Sequence, residues 1–201
     1  MASLARPEGN LTGINFFNAE ITAKRLGLLR ELVPGATHVA VLANPANSLV
    51  AQSQLRDADA AARSMGIHVR AINASTSGEI NEAFANLVRS RPDALFVGSD
   101  PFFNSRRVQI AHLASHHSIP ATYAGRQYVE AGGLMSYGAS VTDAWRQVGI
   151  YTGRVLKGAK PADLPVVQST KFELVINAQT ALMLGLEVPA TLLSQADEVI
   201  E

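Results

Sequence analysis

Two short runs hold the side chains best suited to chemistry. One is Asn44-Pro45-Ala46-Asn47-Ser48, with amides and a hydroxyl; the other is Ser99-Asp100-Pro101-Phe102-Phe103-Asn104, with a carboxylate beside aromatic rings. Asn47 and Ser48 stand where a helix should begin. A polar side chain and the free N–H groups of that helix can together hold a small carboxylate, and the same residues serve equally as an ordinary N-cap. Asp100 can pair with an ammonium group or close an Asx turn ahead of Pro101. Phe102, Phe103, Tyr123 and Tyr137 can stack on an organic molecule, although aromatic side chains more often fill cores.

Other chemistries find little support. His112 and His116 are four apart on a helical segment, a spacing that suits zinc, but Leu113-Ala114-Ser115 between them supply no glutamate and no third ligand is evident. A solvated helix end is the simpler reading, and no metal is expected. Gly-x-Ser-x-Gly is absent, and Gly98-Ser99-Asp100-Pro101 is not a phosphate-cradling loop, so neither a catalytic residue nor a cofactor is expected. An aspartate after a third strand also suits a phosphoacceptor domain. That reading needs an acidic pair after the first strand, where Asn44-Pro45 stands, and a lysine after the last, where Tyr123-Ala124-Gly125-Arg126 follows. The chain has no cysteine and a formal net charge of zero, which removes disulfides, thiolate metal sites and a basic field for nucleic acid. No apolar run approaches the ~20 residues of a membrane span.

The elements that must position these loops repeat. Strand A, 38–43, is a Val/Leu-rich run too short for an ordinary helix and apolar on both faces, as a buried parallel strand is. Pro45 stops it, and Asn47 or Ser48 caps a helix near 49–65, with Leu55, Ala58 and Ala62 inward and Gly66 as its stop. Strand B follows at 68–72. Thr76 and Glu79 then form a capping box for a helix carrying Ile80, Ala83, Phe84, Leu87 and Val88 inward and ending before Pro92. Strand C lies at 94–97, a helix at 105–116, and strand D at 119–123. Ahead of them a strand is expected at 14–17 and a helix at 20–33. Alternating strands and helices indicate α/β architecture, and right-handed crossovers give a parallel sheet of order B-A-C-D flanked by helices. The order switches between A and C, so loops 44–48 and 99–104 flank the expected crevice. Beyond Tyr123 the rhythm changes. Short strands are expected at 134–138, 164–167 and 172–176, helices at 141–157 and 178–184, and a tail at 188–201.

Taken in order, several stretches resemble one family. They are Asn-Leu-Thr-Gly near the start, Lys-Arg-Leu-Gly-Leu-Leu-Arg-Glu-Leu-Val-Pro-Gly, Asn-Pro-Ala-Asn-Ser, Ser-Asp-Pro-Phe-Phe-Asn, Glu-Ala-Gly-Gly-Leu-Met-Ser-Tyr-Gly, Lys-Pro-Ala-Asp-Leu-Pro-Val and Glu-Leu-Val-Ile-Asn. Together they resemble bacterial ABC-transporter substrate-binding proteins of the tryptophan/tyrosine-type group, with a type I periplasmic-binding fold. The resemblance covers nearly the whole chain. It implies two α/β lobes, a small organic ligand between them that is amino-acid-like or aromatic, and delivery to an ABC permease. On that basis ligand contacts are expected from Asn44, Asn47, Ser48, Ser99, Asp100, Phe102, Tyr123 and Tyr137, with Tyr137 in the family's crossing segment.

Family members carry an export signal and a first lobe ahead of Asn-Leu-Thr-Gly, whereas this sequence begins just before it. The expected organisation is therefore a residual inter-lobe segment (1–13), a C-terminal-lobe core (14–123), a crossing segment (124–140), a helix suited to packing on the other lobe (141–158), and return strands with a tail (159–201). The family is periplasmic or otherwise extracytoplasmic. The sequence as written shows no signal peptide, which implies a cytoplasmic, truncated form. The helix at 141–157 is apolar on more than one side, so self-association through it is expected. The alternatives are a cytoplasmic sensor or regulatory domain of the same fold, for which no helix-turn-helix is found, and a small α/β enzyme.

Overall fold

The computed structural model describes residues 4–5, 7, 9–15 and 19–201. They belong to two compact units, 1–17 with 139–172, and 18–138 with 173–201.

In chain order the elements are β1 (Ile14–Asn15), α1 (Ala19–Leu32), β2 (His38–Ala43), α2 (Ser48–Met65), β3 (His68–Asn73), α3 (Ser77–Ser90), β4 (Ala94–Val97), α4 (Pro101–Ser105) and α5 (Arg107–His116). There follow β5 (Ala121–Tyr123), α6 (Arg126–Glu130), β6 (Met135–Ala139), α7 (Val141–Leu156), β7 (Val167–Gln168), β8 (Phe172–Asn177), α8 (Ala178–Met183), α9 (Ala190–Gln195) and β9 (Glu198–Ile200). Among the described residues, no helix is long and apolar enough to cross a membrane.

The larger unit is built on a sheet of order β3-β2-β4-β5-β6-β8-β9. Strands β3, β2, β4, β5 and β6 are mutually parallel, as are β8 and β9. Its first four strands stand in the expected B-A-C-D order. Between β6 and β8 the direction reverses: Asn177 N donates to Leu134 O and Ser140 N to Lys171 O, so residue numbers rise on one strand as they fall on the other.

Strand β2 shows why the 38–43 run is apolar throughout. Val39 and Val41 join a layer with Leu26, Leu29 and Leu32 of α1 and Ala58 and Ala62 of α2. Ala40 and Leu42 join the opposite layer, with Ile80, Phe84 and Leu87 of α3 and Ile110 of α5. Successive side chains point to opposite faces, so a strand covered on both needs apolar residues at every position. Helix α2 ends as expected on Gly66, whose φ of 67° lets its N–H reach the carbonyls of Ala62 and Arg63. Helix α3 starts at Thr76, whose hydroxyl accepts from Glu79 N at 3.1 Å; the Glu79 carboxylate reaches back to Ser75 N at 2.7 Å.

Several expectations are corrected. Val88 is 45% exposed; it lies about 90° around the helix from the Ile80/Ala83/Phe84/Leu87 stripe, beyond its margin. A short helix not expected from sequence, α4, precedes the one expected at 105–116, which is α5 from Arg107; Arg106 (φ −106°, ψ 15°) leaves helical geometry between them. The tail carries α9 and β9, and β9 gains its place by pairing with β8. Strand β5 starts at Ala121 rather than 119, and the 164–167 strand reduces to Val167–Gln168 after a 3-10 turn at Pro161–Asp163. In the 14–17 strand, Phe16 and Phe17 lie outside the described residues.

In the smaller unit β1 pairs parallel with β7, Ile14 opposite Val167. Ser140 caps α7 by accepting from Asp143 N at 3.3 Å. Tyr151 turns inward and donates to Pro165 O at 2.8 Å. Ala144 is buried as well, whereas Trp145 is 69% and Leu156 83% exposed.

Candidate functional site

Strand β2 ends at Ala43 and β4 at Val97, side by side in the sheet. Their following helices pack on opposite faces, α2 on the α1 side and α5 on the α3 side. The two loops therefore part at the strand ends, at a topological switch point.

Asp100 is the hub between them. Its Oδ1 accepts from Asn44 Nδ2 at 2.9 Å and from Phe102 N at 2.9 Å, and its Oδ2 accepts from Asn47 Nδ2 at 3.0 Å. Asn44 is itself held: its Oδ1 accepts from Ala46 N at 3.1 Å and from the Ser75 hydroxyl at 3.0 Å. Ser75 follows β3, so three consecutive strand ends contribute to one polar network. Every donor to Asp100 is neutral, and among the described residues no cation forms an ion pair with it.

The loop after β4 is fixed from below. Gln54 Nε2 donates to Ser99 O at 2.7 Å, and Ser99 N donates to Gln54 Oε1 at 3.0 Å. Gly98 permits this approach: a Cβ there would stand 2.7 Å from both Gln54 Oε1 and the backbone oxygen of Leu42. The loop cannot pass so close to β2 and α2 with any side chain at this position.

The capping expectation at 47–48 is corrected. Asn44 caps a 3-10 turn, Pro45–Asn47, that precedes α2. Asn47 makes no side-chain cap bond to α2 because its amide is committed to Asp100. Ser48 is the exposed first residue of α2, and Leu49 beside it is 81% exposed.

The aromatic residues divide. Phe102 is half-buried at the margin of the α3-side layer, while Phe103 is fully buried in it. Tyr137 is half-buried against the α1-side layer; burial, then the charge of Asp197, pushes its phenol above the usual range. Tyr123 is corrected as a ligand-stacking residue. It has no exposed surface, its ring stacks on Tyr128 at 4.6 Å and 13°, and burial raises its phenol strongly. His112 and His116 stack at 6.2 Å, and among the described residues no group of three or more metal-ligating side chains is gathered.

Sequence reasoning missed Ser75, Gln54 and Arg25. Gln54 was findable, since it shares the i, i+4 stripe of Ala58 and Ala62, where a polar residue stands out. Arg25 reaches from α1 to the end of β4. It is fully buried, donates to the Val97 carbonyl, and holds its guanidinium 3.6 Å from the Phe96 ring centre. Burial lowers its pKa to about 9, partly offset by Tyr128. Arg25 was findable in the same way, since it stands four residues after Ile21 and three and four before Leu28 and Leu29, on the apolar stripe of α1.

A family model for ABC transporter substrate binding protein matches residues 1–200. The chain belongs to that family. No curated protein matches it. The substrate-binding protein is similar to an ABC domain in complex with L-Trp from Streptococcus pneumoniae: 28% identity and TM-score 0.86, over 100% of this chain and 68% of that one. A conserved domain protein from Vibrio cholerae gives 25% identity and TM-score 0.85 over 98% and 65% of the two chains. A ligand-free, open substrate-binding protein with adhesive properties from Clostridium difficile gives 25% and 0.70 over 100% and 66%. The chain thus spans about two thirds of the length of these relatives.

Proposed function

We infer that this chain is the solute-binding component of an ABC-type importer, and that its ligand is a small zwitterionic molecule with an aromatic or other apolar body. One observation carries the reading. Asp100 is oriented by two asparagine amides and a backbone N–H at the switch point, with no protein cation on it among the described residues. A carboxylate so placed is preorganised for an ammonium group. Ser48 and the N-terminal turn of α2 suit a ligand carboxylate, Ser99 offers its hydroxyl, and Phe102 with Tyr137 suits the apolar body. Asn44 and Asn47 act by holding Asp100. The mechanism is binding and release without covalent chemistry, with delivery to a membrane permease. The L-Trp bound in the Streptococcus relative supports an amino-acid ligand. Because the relatives are longer, enclosure of the ligand by further protein is part of this proposal, as is self-association through α7.

Calorimetry with L-tryptophan, L-tyrosine and deaminated indolepropionate tests it. At least one amino acid should bind, and losing the ammonium should weaken binding by about tenfold or more. Equal affinity for indolepropionate would overturn the role given to Asp100, and failure of every amino acid would overturn the ligand class.

A further inference from the structure

Helix α3 covers only part of its side of the sheet. Ile80, Ala83, Phe84 and Leu87 bury against Ala40 and Leu42 of β2 and Leu95 and Val97 of β4, while the outermost strand, β3, adds only half-buried Ile72. A cavity of about 710 Å³ is left between the last turn of α3 and the β2–β3 pair. Its floor follows from register. His38 pairs with His68, Ala40 with Arg70 and Leu42 with Ile72, and residues two apart on a strand share a face. His68, Arg70 and Ile72 thus form one row, with the His38 and His68 rings stacked at 5.5 Å.

The charge in this groove is one-sided. Arg70, Arg89 and Arg91 line it together with no acidic residue, and none of the three forms an ion pair among the described residues. Arg89 donates to Asn86 Oδ1 and sits in the last turn of α3, where the helix dipole favours a cation. Arg70 and Arg91 are not so accounted for. Asp93, next to Pro92 at the groove's end, does not neutralise them: its carboxylate accepts from the N–H groups of Thr37 and His38, both at 2.8 Å, and lies 3.9 Å from His38 Nδ1.

We propose that this groove is a second binding site, for a small organic anion with an apolar body and a phosphate or carboxylate head. Half-buried Ile72 takes the body, over a floor that includes buried Leu87 and Ala40, and Arg70 and Arg91 take the head, a pairing that guanidinium forks suit. The groove opens where β2 and β3 begin, whereas Asn44 and Asp100 follow strand ends. It is therefore separate from the Asp100 network and stands whether or not that network binds a solute.

An amide NMR titration with naphthyl phosphate and with naphthoate, against neutral naphthol and inorganic phosphate, tests the site. One of the two organic anions should bind at least about tenfold more tightly than naphthol and phosphate, shifting amides at Ala40, Ile72 and Ser90 and leaving Asn47 and Asp100 unmoved. Whichever binds identifies the head group. The Arg70→Ala/Arg91→Ala double variant, whose side chains are exposed, should melt as the parent does and lose that preference. Equal binding of naphthol, shifts centred on Asp100, no binding by either organic anion, or a double variant that binds as the parent does would each overturn the proposal.

Discussion

Asn47 donates its side-chain amide to Asp100 Oδ2 at 3.0 Å across 53 residues of sequence. That bond ties the loop after β2 to the loop after β4 and fixes where the carboxylate points. It is also the reason Asn47 does not cap the helix it precedes.

Replacing Asp100 removes three acceptor contacts and the negative charge. Asp100→Ala is expected to weaken an amine-bearing ligand by about 1.5–3 kcal/mol, the range for hydrogen bonds to charged groups. It should also cost about 1 kcal/mol of stability through loss of the α4 cap. Calorimetry and urea unfolding on the same preparation separate the two effects. Unchanged affinity would remove Asp100 from the site.

Gly98→Ala asks whether the loop needs its close approach to β2. The added methyl meets the Leu42 backbone oxygen, which cannot swing aside, as well as the end of Gln54, which can. A loss of about 1–3 kcal/mol is expected, read as a lower melting temperature. Gly35→Ala, where a Cβ meets nothing, serves as the control for glycine removal itself.

Acid stability should depend in part on Asp93. Hydrogen bonds from the N–H groups of Thr37 and His38 hold its carboxyl below the usual range. A depressed carboxylate contributes stability that is present above its unfolded pKa, near 3.9, and lost as pH falls through its folded value. Asp93→Asn should therefore be less stable than the parent near neutrality, with the gap narrowing below about pH 4. Parallel stability curves through that range would show that Asp93 carries none of the acid response.

The exposed side of α7 should associate. Trp145 is the single tryptophan and lies there with Val148, Val155 and Leu156, all exposed. A large side chain of this kind gains about 1.5–3 kcal/mol when covered. Sedimentation should show association at micromolar concentration, accompanied by a blue shift of tryptophan emission, and Trp145→Ser should reduce it. A parent chain that stays monomeric with solvent-exposed tryptophan emission would end this expectation.

What the sequence determined by itself was local or periodic. Apolar β2, the Thr76 cap, the Gly66 stop and the order of the first four strands all follow from signals a few residues long, joined by the rule that crossovers are right-handed. The placement of loops 44–48 and 99–104 beside each other followed from that order. Tertiary structure decided which of several satisfiable partners each polar group took. Asn47 could cap or donate, and only the arrival of Asp100 from a distant strand chose between them. Tyr123 could face solvent or core, and Tyr128, on a helix the sequence did not mark, covered it. Arg25 lies on the apolar stripe of its helix, but only the packed sheet decided its partners, the Val97 carbonyl and the Phe96 face. The reason is common to all three. A hydrogen bond or ring contact across the fold competes with local solutions of similar energy, about 1 kcal/mol each. The outcome depends on distances that only the packed sheet sets.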